Sequence, residues 1–245
     1  PKPTPGAMSG FFLAAATELI RQQGFDSLTM KSLARASGMS VGKLYQSFPS
    51  KDDLFLHLEI EYFDTLYQRI AAVRAAIAAR GGGCRGQFVA VLGGYFVFAG
   101  PRGGLYKLVT SPPRVFSDCR GTRLEPLAQR ELEAALRTID LFRQAFSAAS
   151  RERHGVSPGA DEQARFLSFV NSVHGLILMS QSPVWPYLVG DAHLLSSSAG
   201  LSSSLPGALP LASPSSSLST APVGLAESGD ALVRNQLGLL IETLM

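Results

Sequence analysis

The chain has 245 residues and a formal net charge of +3, with 46% hydrophobic and 17% charged residues. That length corresponds to one or two domains, enough to bury a core without disulfide or metal staples. The composition is globular and excludes a disordered or collagen-like chain. The basic side chains are mostly arginine, since only Lys2, Lys31, Lys43, Lys51 and Lys107 are lysines. Cys84 and Cys119 are too few for a disulfide framework and lack metal-ligand spacing, so no metal or cofactor is expected.

In chain order, residues 9–23 read as a helix, with Phe12, Leu13, Ala16, Leu19 and Ile20 on one face and Gly24 as its stop. A short helix over 29–36 is capped by Thr29, Gly38 supplies a tight turn, and Ser40 caps a third helix over 41–48. Pro49 breaks it. Ser50 caps a long helix over 51–80, with Asp53 at the capping-box position and an apolar stripe from Leu54 through Leu58, Tyr62, Leu66 and Ile70 to Ile77. Helices over 86–99 and 103–110 follow. Residues 122–150 read as an amphipathic helix on Leu124, Leu132, Leu136, Ile139, Phe142 and Phe146, and another opens near Pro158 and Asp161. Residues 192–226 carry no Asp, Glu, Lys or Arg and are rich in serine, the composition of a loop or linker. A last helix spans 229–244. No segment alternates with period two, so the fold class is all-α.

Two apolar stretches bear on membranes. The run Phe11–Ala16 ends at Glu18, too short for a leader peptide. The uncharged stretch between Arg165 and Asp191 is interrupted by Asn171, His174, Gln181, Pro183 and Pro186, so a buried core helix is expected and no membrane partner.

The segment Leu28–Leu54 carries the functional signal: a helix, a turn, a second helix and a capped third. Small Ala34 and Ala36 allow two helices to cross closely, and Leu33, Leu44 and Phe48 form the small shared core. With those buried, Lys43, Gln46 and Ser47 face outward together, at a spacing suited to a helix lying in a DNA major groove. Lys43 is placed to donate to guanine O6/N7 and Gln46 to pair with adenine N6/N7. Val41 meets a thymine methyl or packs inward. Thr29, Ser40, Tyr45 and Lys51 are candidates for phosphate contacts, Lys51 from the first turn of its helix. Charge agrees: over residues 1–50 the bases Lys2, Arg21, Lys31, Arg35 and Lys43 outweigh Glu18 and Asp26. Residues 51–67 set Lys51 against Asp52, Asp53, Glu59, Glu61 and Asp64.

These residues resemble a known family. Gly24-Phe25, Thr29, Leu33-Ala34, Ala36, Gly38, Ser40, Gly42, Leu44-Tyr45, Phe48 and Lys51 through Leu54 are similar to the DNA-binding domain of the TetR family of transcriptional regulators. The run Leu-Tyr-x-x-Phe-x-x-Lys-x-x-Leu at 44–54 is the most specific part. The resemblance covers about residues 10–66. Val173-His174-Gly175-Leu176 is similar to a His-Gly-Leu turn of some TetR-like C-terminal domains. The resemblance implies an N-terminal helix-turn-helix domain over 9–52, joined through helix 51–80, and a helical ligand-binding and dimerisation domain over 53–245 that contains the 192–226 loop. Thr29, Ser40, Val41, Gly42, Lys43, Tyr45, Gln46, Ser47 and Lys51 then form the DNA-binding surface. The family also implies a cytoplasmic homodimer, dimerised through its last two long helices, that represses from a double-stranded DNA operator until a small apolar effector releases it. Candidate pocket residues are Tyr95, Phe98, Tyr106, Phe142 and His174, each of which also reads as ordinary core. The chain departs from the family in its first helix, where Ser9, Gly10 and Phe11 stand at positions that are often basic. That departure keeps open a second reading, a protein–protein interaction module without specific DNA binding.

Catalytic motifs are weak. Gly155-Val-Ser157-Pro-Gly159 matches the hydrolase elbow pattern, but no buried strand precedes it and Pro158 removes the N–H that would serve an oxyanion. His57-Leu-Glu59 lacks the cysteine pair that a zinc deaminase needs, and His57 reads as a helix-surface residue. The chain is therefore not expected to be an enzyme.

Overall fold

In the computed structural model, residues 5–100, 103–155 and 160–182 are described. All regular structure among them is helical: α1 (Pro5–Gln23), a 3-10 turn (Phe25–Ser27), α2 (Met30–Ser37), α3 (Val41–Ser47), α4 (Lys51–Ala79), α5 (Cys84–Ala99), α6 (Gly103–Thr110), α7 (Phe116–Cys119), α8 (Glu125–His154) and α9 (Ala160–Ser180). The expected loop over 192–226, the helix over 229–244 and most of the Gly155–Gly159 motif lie outside the described residues.

The chain divides into two units, residues 1–168 with Met245 and residues 169–244. In the first unit α4 is the axis, with α5 and α8 along its length. Leu54, Leu58, Tyr62, Leu66 and Ile70 of α4 are buried, as their spacing predicts. The face of α8 differs from expectation. Leu124 and Phe146 are buried, but Leu136 is 53% and Ile139 49% exposed. The inner face runs instead through Ala128, Ala134, Thr138, Leu141, Ala145 and Ala149. Small side chains let two helix backbones approach, and Thr138 uses that proximity: its hydroxyl lies 3.3 Å from the Phe63 carbonyl oxygen of α4. The pattern of large apolar residues is therefore right at Leu124 and Phe146 and misplaced at Leu136 and Ile139.

Boundaries shift for local reasons. α1 begins at Pro5, a residue tolerated in a helix's first turn. α8 begins at Glu125 with a proline in its first positions and runs on to Gly155, which takes φ 65° and closes it. The first turn of α5 forms at Cys84 because Glu152 reaches across from α8, accepting from the Cys84 N–H at 3.1 Å and the Arg85 N–H at 2.8 Å. α7 has no counterpart in the sequence reading. It is one turn, capped by the Asp118 carboxylate on the Val115 N–H at 3.1 Å, and it brings Cys119 against Leu56, Leu124 and Ala128.

The start of α9 is fixed on α8 by a tilted ring contact, Phe146 and Phe166 at 5.6 Å, and by a hydrogen bond from Ser147 to the buried Glu162. In the second unit, Phe169, Val173 and Ile177 of α9 are buried. Among the described residues no single helix is long and apolar enough to cross a membrane.

Candidate nucleic-acid interface

The local chemistry of residues 24–54 builds a rigid head. Thr29 N-caps α2: its hydroxyl accepts from the Ser32 N–H at 3.0 Å, while the Thr29 N–H donates back to the Ser32 hydroxyl at 2.8 Å. Ser32 also donates to the Ser27 carbonyl at 2.9 Å, tying the cap to the preceding turn. Gly38 follows α2 with φ 66°, a conformation that costs other residues a Cβ clash. Ser40 then caps α3, accepting from the Lys43 N–H at 3.3 Å, and Ser50 caps α4 through the Asp53 N–H at 3.1 Å. Each serine or threonine expected at a helix start occupies one.

Leu33, Leu44 and Phe48 are fully buried, with Phe12 edge-on to Phe48 at 6.4 Å. Ala34 is buried at the helix crossing, whereas Ala36 is exposed and takes no part in it. His57, expected at the surface, is half-buried. Its ring meets Phe48 edge-on at 5.3 Å, and Nδ1 lies 2.9 Å from the Asp53 carbonyl oxygen.

On the outer side of α3, Gly42, Lys43, Tyr45 and Gln46 are exposed, while Val41 and Ser47 are half-buried. Tyr45 is 47% exposed, much for an aromatic side chain without a function at the surface. Thr29 and Ser40 are exposed too, but their oxygens are engaged as caps. Lys51 holds its ammonium 4.9 Å from the Phe55 ring centre, over the first turn of α4. Sequence reasoning passed over Lys31 and Arg35. Both are exposed on α2 at i, i+4 spacing, and that spacing alone could have found them.

Two ion pairs reach this head from later in the chain, neither visible in local sequence. Lys107 of α6 lies 2.9 Å from Asp26, and Arg114 lies 2.5 Å from Asp52 in the first turn of α4.

Four of the five candidate pocket residues cluster in the first unit. Tyr95 meets Phe142 at 5.1 Å and Tyr106 at 6.4 Å between ring centres, and the two tyrosine hydroxyls are 3.4 Å apart. Phe98 is buried nearby, edge-on to Tyr62 at 5.0 Å. Burial raises both the Tyr95 and Tyr106 hydroxyls above the ordinary tyrosine range, so they stay neutral. His174 belongs to the second unit, half-buried, and burial lowers its pKa so that the neutral ring is favoured.

Residues 12–58 match the family described as bacterial regulatory proteins, tetR family. No curated protein matches the chain. Solved structures share its fold. One, from Rhodococcus sp. RHA1 and of unknown function, has 19% identity and a TM-score of 0.54, covering 96% of this chain and 97% of its own. A possible TetR family transcriptional regulator from Streptomyces coelicolor A3(2) has 17% identity and a TM-score of 0.54, with 96% and 98% covered. The transcriptional regulator FadR from Bacillus subtilis, solved in complex with stearoyl-CoA, has 14% identity and a TM-score of 0.53, with 95% and 97% covered.

Proposed function

We propose that the chain, whose residues 12–58 match the tetR family of bacterial regulatory proteins, is a non-enzymatic transcriptional regulator that reads a pseudo-palindromic DNA operator as a cytoplasmic homodimer. The observation that carries the reading is α3. Lys43 and Gln46 stand exposed on one side of a helix whose other side, Leu44 with Phe48 just beyond it, is sealed into the core. Lys43, Gln46 and Val41 face base edges, and Thr29, Ser40, Tyr45 and Lys51 face phosphates, joined by Lys31 and Arg35.

The mode of action is repression relieved by a small, apolar effector. The aromatic cluster of Tyr95, Phe98, Tyr106 and Phe142 supports an apolar ligand, as does the stearoyl-CoA bound to the Bacillus subtilis FadR of similar fold. Effector binding favours a conformation whose two reading heads no longer match the half-site spacing. The exposed Leu136 and Ile139 of α8 support pairing of two copies.

The test is fluorescence anisotropy with DNA from immediately upstream of the protein's own gene against scrambled DNA, at two salt concentrations. Sequence-preferring binding that survives moderate salt is expected. Equal, salt-erased binding to both DNAs would favour the interaction-module reading instead.

A further inference from the structure

Glu59 is an acid buried without a base. Its side chain is 3% exposed, in the third turn of α4 and one turn beyond Leu56 of the Leu56–Cys119–Leu124–Ala128 core. Charged and titratable groups near it come from several elements. From α8 comes Glu131. From α4 itself comes Asp52, which lines the same narrow crevice with Phe55, Leu56 and Glu59. The segment between α6 and α7 contributes Arg114 to that crevice, already committed to Asp52. From α7 come Cys119 and, beside it, Asp118. The one charged residue of α5, Arg85, stands in its first turn, and Lys107 of α6 is paired with Asp26. Arg130 and Arg137 of α8 line an outer groove with Asp64, which Arg137 holds. Among the described residues no cation is paired with Glu59.

A buried carboxylate in that position cannot carry charge cheaply. Desolvation, reinforced by the Glu131 charge, pushes the Glu59 carboxyl up to about 8, and burial also raises Glu131. We propose that Glu59 and Glu131 form a proton-operated latch between α4 and α8, closed while Glu59 keeps its proton and driven open when both carboxylates are charged. On ionisation the Glu59 proton leaves to solvent through the crevice. The new charge then competes with Asp52 for the Arg114 guanidinium. Asp52 adjoins Lys51 at the start of α4, so the disturbance reaches the reading head; this last step rests on the DNA-binding reading above.

The direction follows from linkage. The folded carboxyl keeps its proton where an unfolded one, with an ordinary value of 4.5, has lost it. The latch's stabilisation is complete below that ordinary value and is lost as pH rises through about 8.

The test uses the full chain and the variants Glu59→Gln and Glu131→Gln, each with 13C-labelled glutamate. A carboxyl carbon that titrates near the Glu59 value, disappears in Glu59→Gln and moves to a lower midpoint in Glu131→Gln is the expected result. The thermal midpoint of the wild type should fall by about 5 °C or more beyond that of Glu59→Gln between mildly acidic and alkaline pH. Absence of any high-titrating carboxyl, or parallel thermal profiles in the two proteins, would overturn the latch. Anisotropy on the upstream DNA fragment across the same range tests the link to the head. Loss of affinity in the wild type but not in Glu59→Gln supports it, and identical profiles refute it. If no DNA is preferred at any pH, the regulator reading fails while the carboxyl titration still decides the latch.

Discussion

The Lys107 ammonium of α6 lies 2.9 Å from the Asp26 carboxylate, in the turn behind α1. Both side chains are largely exposed, at 57% and 83%, so the pair contributes little on its own. The stronger tie is one turn earlier. A Cβ added at Gly104 would stand 2.4 Å from Ile20 Cγ2 and 3.2 Å from the Ile20 carbonyl oxygen, and Ile20 is buried. Gly104→Ala is therefore expected to lower stability by about 1–3 kcal/mol through overpacking. That outweighs its gain in helix propensity of about 1 kcal/mol at most. Lys107→Ala should cost less than about 1 kcal/mol. Urea unfolding of both variants checks the order; equal midpoints would refute it.

On the reading head, exposed residues separate into two kinds by what they would touch. On the proposed DNA-reading role, Lys43→Ala and Gln46→Ala would remove base contacts, each expected to cost about 1–3 kcal/mol of discrimination between operator and scrambled DNA. On the same role, Lys31→Ala and Arg35→Ala would remove phosphate contacts. They should weaken binding to all sequences alike and reduce the salt slope by about 1 each. All four side chains are exposed, so thermal stability should hardly change. Anisotropy titrations at several salt concentrations distinguish the two patterns, and a lost preference in the Lys31 variant would contradict the assignment.

The head was legible in the sequence because its determinants are local. Thr29, Ser40 and Ser50 act on N–H groups three residues away, and Gly38 supplies its own φ. The exposed face of α3 follows from the burial of Leu44 and Phe48, which a 3.6-residue period reveals. The rest of the first unit depends on partners distant in sequence. Glu152 starts α5 from the far end of α8, and Arg114 reaches back to Asp52. The inner face of α8 is alanine-rich, and alanines carry little signal in a hydrophobic pattern. The single turn of α7 is too short to leave a period at all. Tyr95, Tyr106 and Phe142 were recognisable as apolar-face aromatics, but one sequence does not tell a pocket wall from a packed core.

The capping of α5 by Glu152 invites a double-mutant cycle. Removing the carboxylate in Glu152→Ala orphans the Cys84 and Arg85 N–H groups and is expected to cost about 1 kcal/mol. A Cβ at Gly83 would stand 2.6 Å from Glu152 Oε1, so Gly83→Ala should displace the same carboxylate. The two substitutions act on one interaction, and their effects should not add. The double variant is expected to lie within about 0.5 kcal/mol of Glu152→Ala. Full additivity in denaturant unfolding would show that the cap and the glycine are independent.

Leu136 and Ile139 are exposed on α8 around a groove shared with Arg137, Asp140 and Arg143. In the first unit the core contact of α8 runs through Ala134, Thr138, Leu141 and Ala145, and these two side chains lie outside it. If two copies pair on this face, Leu136→Glu with Ile139→Glu places four like charges in the contact and removes its apolar centre. Sedimentation velocity is expected to show a dimer for the wild type and a monomer for the variant. The circular dichroism spectrum of the variant should stay helical, because its core is untouched. Operator affinity should fall steeply as well, since a lone protomer reads only one half-site. A variant that sediments as the wild type does would exclude this face of α8 from the interface.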